Sequence, residues 1–112
     1  MPAITFKGKE FNNSVELSLS IIGGKWKIPI IWSLKDGPMR YGDLKRSLLK
    51  VTHKMLTQQL RELESDEIII RKVFSEVPPK VEYSLTLLGK SVIPVIDLLH
   101  EWGEGYKSVF TK

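Results

Sequence analysis

The segment from Thr52 to Lys80 constrains the fold of this chain more than any other part, because it predicts a helix followed directly by a β-hairpin. Within 52–65, apolar residues recur at helical spacing and form one narrow stripe: Leu56, Leu60 and Leu63. Thr52 is a candidate N-cap, since its hydroxyl can accept a hydrogen bond from an amide of the first turn. The segment therefore predicts an amphipathic helix that buries one face.

The hairpin is predicted from the residues after Ser65. Isoleucines at 68–70 begin a β-rich run that extends to Phe74. The run Val77–Lys80 contains two prolines, which cannot donate to a strand ladder, so it predicts a stiff loop. Apolar and polar residues alternate in 81–85, which is typical of a strand with one buried face. A helix followed by such a hairpin is the order of a winged helix-turn-helix.

A second helix is predicted just before the first, at Tyr41–Leu49, with Leu44, Leu48 and Leu49 on its buried side. Only Lys50 and Val51 separate the two helices. Because the connection is so short, the helices must cross sharply, as in a helix-turn-helix.

The polar face of 52–65 carries side chains that suit DNA, since Arg and Lys pair with guanine edges and Gln with adenine edges. We expect base or phosphate contacts from Thr52, His53, Lys54, Thr57, Gln58 and Arg61. Phosphate or minor-groove contacts are expected from residues on either side of this helix: Lys45, Arg46, Arg71, Lys72 and Lys80. Taken alone, the helix also fits an ordinary solvated surface, and Arg61 also fits an ion pair with a neighbouring glutamate.

The positive charge is concentrated in the same region. The chain has a net charge of +4, but residues 40–61 hold six cations against one acid, a net of +5. Residues 81–112 hold three cations against four acids, a net of −1. The basic part would therefore attract phosphates.

Composition excludes several classes of function. The 112 residues contain no cysteine, which excludes disulfides, thiolate metal sites and thiol nucleophiles in this chain. No Ser/His/Asp set or phosphate-binding glycine loop is recognisable, so we expect no enzyme, no cofactor and no metal. The N-terminus lacks the apolar core of a signal peptide, and no apolar run approaches the ~18 residues needed to cross a bilayer. A cytoplasmic protein without membrane contact is expected.

The flanking segments predict further helices. Asn13 and Glu16 resemble a capping box before an apolar helical pattern that Gly23-Gly24 interrupts. A helix in 26–35 is expected to begin near Ile28, because a start at Lys25 would place Pro29 where it removes a backbone hydrogen bond. Thr86 is a candidate N-cap for a long C-terminal helix, which Pro94 should kink.

The C-terminal helix is more apolar than a chain of this size can easily cover by itself. We therefore expect one domain over 1–112, with a DNA-binding core at 25–86 and dimerisation helices in 1–24 and 87–112. The fold class is α+β, mostly α: a winged helix-turn-helix with a β-hairpin wing. A two-fold axis would pair two recognition helices on a pseudo-palindromic operator.

With these residues described, the chain resembles the HxlR-type branch of bacterial winged-helix, MarR-like transcription regulators. The matching segments are IGGKW at 22–26, RYGDL at 40–44, LTQQLRELE at 56–64 and VPPKVEYSLT at 77–86, followed by Gly89. The resemblance implies homodimers that bind double-stranded DNA through the winged core, join through the terminal helices and repress or activate nearby genes.

The chain departs from the family pattern at three places. Members often carry Cys-Pro-Val-Glu before the first helix, where this chain has Asn13-Ser14-Val15-Glu16, so the thiol switch that the family pattern implies is excluded here. Glu67 stands where glycine is usual before the first wing strand, and a positive φ there would strain it. Pro29 stands where an ordinary helix former is usual.

Two other functions fit the same residues. One is a winged-helix module that docks proteins and has lost DNA binding. The other is a regulator gated by an unidentified small-molecule effector that shifts the spacing of the two recognition helices.

Overall fold

The computed structural model describes residues 3–111; Met1, Pro2 and Lys112, which the predicted domain includes, lie outside the described residues. Six helices and five strands follow one another along the described chain. In order they are β1 Ile4–Phe6, β2 Lys9–Phe11, α1 Ser14–Ile22, α2 Lys27–Ser33, β3 Met39–Arg40, α3 Tyr41–Ser47, α4 His53–Ser65, β4 Ile69–Phe74, β5 Lys80–Leu85, α5 Leu87–Lys90 and α6 Ile93–Phe110. The predicted α+β, mostly helical winged helix-turn-helix is confirmed.

The wing is an antiparallel sheet of three strands in the order β3-β5-β4. In its register Ile69 pairs with Leu85 and Phe74 with Lys80, so β4 and β5 are matched along their whole length. The short β3 joins the other side of β5, where Met39 pairs with Tyr83. The two-residue β3 leads directly into α3, so the sheet is tied to the helix-turn-helix.

The hydrophobic core lies where α2, α3 and α4 meet the sheet. Its most completely buried side chains are Ile30, Ile31, Leu34, Leu44, Leu56, Leu63 and Ile69. Burying such a side chain stabilises the fold by about 1.5–3 kcal/mol relative to leaving it exposed. The predicted leucine stripe of α4 is confirmed, and it holds this helix with its polar face outwards.

The helix-turn-helix has a longer connection than the sequence predicts. Helix α3 ends at Ser47, where Ser47 Oγ donates to Leu44 O at 2.7 Å. Lys50 adopts a left-handed φ of 72°, which turns the chain back before α4. Leu48 is buried as predicted, but Leu49 is 81% exposed, so its predicted burial is wrong. The reason is that Leu49 lies in the turn and no longer on the inner face of a helix.

Both ends of α4 agree with the sequence. Thr52 Oγ1 accepts a hydrogen bond from Met55 N at 3.1 Å, which confirms the predicted N-cap. After the helix, Glu67 has a φ of 60°, the left-handed conformation that glycine adopts without strain. This geometry lets Ile68 N donate to Leu63 O at 2.9 Å and starts β4.

The starts of α1 and α2 agree with the capping residue Asn13 and with the position of Pro29, respectively. Asn13 Oδ1 accepts from Glu16 N at 3.0 Å, while Glu16 Oε2 accepts from the amide of Asn12, one residue before the cap. Helix α2 starts at Lys27, so Pro29 lies in its first turn, where a missing amide costs no intrahelical bond. The predicted later start is confirmed.

The C-terminal segment is two helices rather than one kinked helix. Thr86 caps the short α5, with its Oγ1 accepting from Gly89 N at 2.9 Å. Pro94 is the second residue of α6, so it starts that helix and the predicted kink is wrong.

From Asp97 to Thr111 every residue is exposed. The Cα radius of gyration is 16.0 Å, against about 13 Å for a compact chain of this length.

The N-terminal segment also differs from the prediction, because 1–24 is not all helical. β1 and β2 form a separate hairpin whose turn residues Lys7 and Gly8 have φ values of 49° and 77°. Positive φ at both turn positions matches the twist of a tight hairpin. Lys7 Nζ at the tip donates to Ser65 O and to Asp66 Oδ1, both at 2.8 Å. The hairpin is thus attached to the C-terminal end of α4.

Within 3–111, no helix combines the length and the apolar character that a membrane-crossing segment needs.

Candidate nucleic-acid interface

Helix α4 presents five of the predicted site residues on one outward strip. His53, Lys54, Thr57, Gln58 and Arg61 line a shallow groove along this helix, together with Glu62. The buried leucines on the opposite side hold the helix against the core. Because the strip contains guanidinium, ammonium and amide groups, it can donate to phosphates and to the base edges of a major groove.

Two residues at the start of α4 also have structural partners. The Thr52 hydroxyl accepts from the helix and is therefore partly committed to capping. Nδ1 of His53 lies 2.5 Å from the Tyr41 hydroxyl, and the two rings meet edge to face with centroids 5.4 Å apart. Tyr41 begins α3, so this pair braces the two helices and fixes the orientation of the imidazole.

The middle of α4 is tied to α2. Lys27 Nζ donates to Glu62 Oε1 at 2.8 Å, and Gln58 Nε2 donates to Glu62 Oε2 at 3.3 Å. The hydrogen bond from Lys27 holds the pKa of the Glu62 carboxyl below its usual value, while burial acts in the opposite direction. Glu62 therefore stays ionised and orients Gln58 at the edge of the outward strip.

Arg71 faces α4 from the wing. It lines a second groove between α4 and β4, together with Thr57, Leu60, Arg61, Glu64 and Tyr83. Among residues 3–111, neither Arg71 nor Arg61 takes part in an ion pair, so the predicted rival role of Arg61 in pairing with a neighbouring glutamate is not realised. The structure thus brings two guanidinium groups from different elements to one groove.

The two wing lysines lie on the other face of the sheet. Lys72 and Lys80 both place their Nζ atoms near the Phe74 ring, 4.8 and 4.6 Å from its centroid. Lys80 also pairs with Glu82 at 3.0 Å, and its side chain is only 23% exposed. The prediction that Lys80 belongs to the stiff loop of the wing is wrong, because the loop is formed by 75–79 and Lys80 is the first residue of β5.

The cations of α3 lie on exposed positions, but they differ in their partners. Arg46 pairs with Asp43 one turn earlier, whereas Lys45 has no ion-pair partner in the described range. Lys45 is the more available of the two for a phosphate. Residues 3–111 contain no cluster of His, Asp or Glu side chains that could hold a metal ion.

Three residues that position this surface were not among the predicted site residues: Lys7, Lys27 and Tyr41. Lys27 had a detectable signal, because 27, 30, 31 and 34 share one helical face and the other three residues are apolar. A lysine on a buried stripe requires a counter-charge. Tyr41 and Lys7 had no such signal, since their partners depend on how distant segments pack.

Comparison with known proteins agrees with this geometry. Residues 21–110 match the family model described as HxlR-like helix-turn-helix. An uncharacterised HTH-type transcriptional regulator of Methanothermobacter thermautotrophicus is 52% identical over 99 residues. The alignment covers 88% of this chain and 76% of that regulator. The uncharacterised HTH-type transcriptional regulator YtcD of Bacillus subtilis is 50% identical over 98 residues, and the alignment covers 88% of this chain and 78% of YtcD.

A solved structure of the redox regulator HypR in its reduced form has a TM-score of 0.82 and 45% identity, over 88% of this chain and 97% of that one. Both the sequence match and the structural match extend over most of the chain. The chain therefore belongs to the HxlR-like helix-turn-helix family of transcriptional regulators.

Proposed function

We propose that this protein regulates transcription by binding pseudo-palindromic operator DNA as a homodimer. The observation that carries the proposal is the outward polar strip of α4, which ends beside Arg71 of the wing. Helix α4 would enter a major groove, with Lys54, Thr57, Gln58 and Arg61 facing base edges and phosphates. Lys45, Arg71 and Lys72 would contact the flanking backbone, with smaller contributions from Arg46 and Lys80, which already have acidic partners.

The homodimer is inferred from apolar surface on the terminal helices. Val95, Leu98, Leu99, Trp102, Tyr106, Val109 and Phe110 of α6 are all exposed, as are Val15 and Leu19 of α1. Exposed apolar patches of this extent mark interaction surfaces in soluble proteins. A second copy of the chain would bury them, with α1, α5 and α6 as the dimerisation part and residues 25–86 as the DNA-binding core.

A dimer also sets the geometry of the operator. Two copies of α4 related by a two-fold axis would read half-sites separated by about 34 Å, one helical turn, or a multiple of it. Because its target is chromosomal DNA, we place the regulator in the cytoplasm. The lack of cysteine means that any signal it senses acts through other chemistry.

The test is selection of bound duplexes from a random library at physiological salt, followed by sequencing. We expect enrichment of an inverted repeat with fixed half-site spacing. Failure of folded protein to enrich any sequence would contradict the proposal and favour a winged-helix module that docks proteins. Measuring how affinity changes with salt separates the two functions. DNA affinity falls steeply as the salt concentration rises, because binding releases counterions from the DNA.

A further inference from the structure

The contact between Tyr41 and His53 joins an anchored side chain to an exposed one. Tyr41 is the first residue of α3, and its half-buried ring packs against the hydrophobic core. His53 is the first residue of α4; it is exposed and lines the groove along the outward strip. The Tyr41 hydroxyl lies 2.5 Å from Nδ1 of His53, and the two rings are inclined by 73°. The tyrosine is therefore the partner that orients the imidazole.

The chemistry of the two groups favours one direction of the hydrogen bond. A phenol hydroxyl can donate or accept, whereas a neutral imidazole has one N–H and one nitrogen that accepts. The imidazole nitrogen is the stronger acceptor, because the phenol oxygen shares its electrons with the aromatic ring. The pair is therefore most stable with the Tyr41 hydroxyl donating to Nδ1, which leaves the hydrogen of the neutral imidazole on Nε2. The protonated imidazole also carries a hydrogen on Nε2, so this nitrogen is a donor in both states.

Nε2 is the nitrogen of His53 that remains for another partner. The two nitrogens of an imidazole point in diverging directions, so a ring whose Nδ1 is turned to α3 points Nε2 away from it. Among residues 3–111, the contact with Tyr41 is the only hydrogen bond of the His53 side chain. The N-terminal residues of a recognition helix are the ones that contact base edges in a major groove. His53 occupies that part of α4.

We propose that Tyr41 is a positioning residue for base selectivity, because it makes His53 a hydrogen-bond donor towards DNA. This inference rests on the proposed function. A donor at Nε2 suits guanine, which presents two acceptors in the major groove, O6 and N7. Cytosine presents a donor there, its N4 amino group, and leaves Nε2–H without a partner. His53 would therefore select guanine and reject cytosine at one base pair of each half-site.

The first experiment observes the tautomer of His53 in the free protein, without DNA. Long-range proton–nitrogen correlation NMR at about pH 8.5, where imidazole in an unstructured peptide is neutral, shows which nitrogen carries the hydrogen. We expect the hydrogen on Nε2, and an Nδ1 resonance that moves in Tyr41→Phe because the accepted hydrogen bond is lost. The resonances of His100, exposed on α6, should stay in place and serve as the internal control. A hydrogen on Nδ1, or an Nδ1 resonance unchanged in Tyr41→Phe, would overturn the proposal.

The second experiment measures base selectivity on the operator obtained by selection. Affinities for every single base-pair substitution of a half-site are compared among wild type, Tyr41→Phe, His53→Ala and the double variant. We expect one position at which the wild type favours guanine over cytosine at least about fivefold. Tyr41→Phe should lower that ratio to about twofold or less, because the released ring can turn a nitrogen lone pair towards the cytosine amino group. His53→Ala should lower the same ratio.

The His53→Ala background separates positioning from a general structural role. If Tyr41 acts through His53, adding Tyr41→Phe to His53→Ala changes the ratio no further. Loss of affinity by Tyr41→Phe equally for every duplex, or an unchanged guanine preference, would overturn the inference alone. Failure of the selection to yield an operator would reject the proposed function and the inference with it. Circular dichroism melts verify that each variant is folded.

Discussion

Lys27 and Glu62 form an ion pair between α2 and the recognition helix α4, with Nζ and Oε1 2.8 Å apart. The two partners differ in exposure: the Lys27 side chain is 8% exposed and that of Glu62 43%. The lysine is thus the group that depends on the pair, because a buried ammonium without a counter-charge is costly. The pair also holds Glu62, to which Gln58 donates, at the edge of the candidate DNA-binding strip.

This asymmetry predicts unequal effects of removing either partner. Glu62→Gln leaves the buried ammonium without a counter-charge and should destabilise the fold by ~1–2 kcal/mol, a value reduced from the fully buried case because Glu62 is partly exposed. Lys27→Met removes the buried charge, keeps the side-chain volume and should cost less than half as much. Urea denaturation at pH 7 measures the free energy of unfolding of both variants. A larger loss of stability in Lys27→Met than in Glu62→Gln would contradict this account.

The same pair predicts a contribution to acid stability. The hydrogen bond from Lys27 lowers the pKa of Glu62 from its usual 4.5 in the folded state. A lowered carboxyl pKa stabilises the fold fully above the unfolded value and progressively less as the pH falls through the folded value. The difference in Tm between wild type and Glu62→Gln should therefore narrow as the pH is lowered from 6 to about 3. A constant difference across that range would exclude Glu62 as the titrating group.

Recognition residues and wing residues should respond differently to DNA sequence. Arg61→Ala should weaken binding to the selected operator by roughly 1–3 kcal/mol, and binding to a random duplex much less, if Arg61 reads a base edge. Lys72→Ala should weaken binding to both duplexes equally. It should also reduce the slope of log affinity against log salt concentration by about one. Fluorescence anisotropy on both duplexes at several salt concentrations distinguishes them.

Lys80→Ala serves as an internal comparison with Lys72→Ala. Lys80 is mostly buried and paired with Glu82. The substitution Lys80→Ala should therefore lower the affinity for every duplex less than Lys72→Ala does. An equal or larger loss would mean that Lys80 leaves its acidic partner when DNA binds.

The aromatic run of α6 should control association of the chain. The ring centroids of Trp102 and Tyr106 are 5.4 Å apart, and those of Tyr106 and Phe110 are 4.9 Å apart. Trp102→Lys should weaken a homodimer by ~2 kcal/mol or more, as for a central interface aromatic. His100→Lys adds the same charge to the same helix at a polar position and should have a smaller effect. Light scattering over a range of concentrations tests both, and equal effects would place the interface elsewhere.

Gly89 should tolerate no side chain, because a Cβ there would lie 2.1 Å from the carbonyl oxygen of Ile68. Gly89→Ala must separate α5 from the start of β4 and should cost about 1–3 kcal/mol. At Gly42 in α3, a Cβ would meet its nearest neighbour, an Arg46 nitrogen, at an ordinary 3.5 Å. Gly42→Ala should therefore be neutral or stabilise by up to ~1 kcal/mol. Thermal melts compare the two, and similar losses would contradict the predicted clash.

The elements that the sequence predicted correctly are those that depend on neighbouring residues. The leucine stripe of α4, its Thr52 cap and the first-turn place of Pro29 each follow from spacing within one or two turns. The errors arose where a boundary depends on packing. Leu49 carries the helical pattern onwards, but Lys50 turns the chain before another turn of α3 can form. Pro94 fits the interior of a long apolar pattern equally well as the start of a new helix.

The N-terminal hairpin illustrates the same limit. Its strands have three residues each, too few for alternation to be distinguished from chance. The hairpin is attached through Lys7, whose partners Ser65 and Asp66 lie 58 and 59 residues further along the chain. No local pattern contains such a contact.

By itself, the amino-acid sequence determined the order of the two central helices and the wing hairpin, and hence the winged helix-turn-helix, together with the outward polar face of α4. The reason is that hydrophobic periodicity and capping act over a few residues. Only the tertiary structure decided which cations remain available. It paired Lys27 with Glu62 and Lys80 with Glu82, and left Arg61 and Arg71 together in one groove. Whether a charge is free or paired depends on burial and on partners brought together from distant segments, and both exist only after the chain has packed.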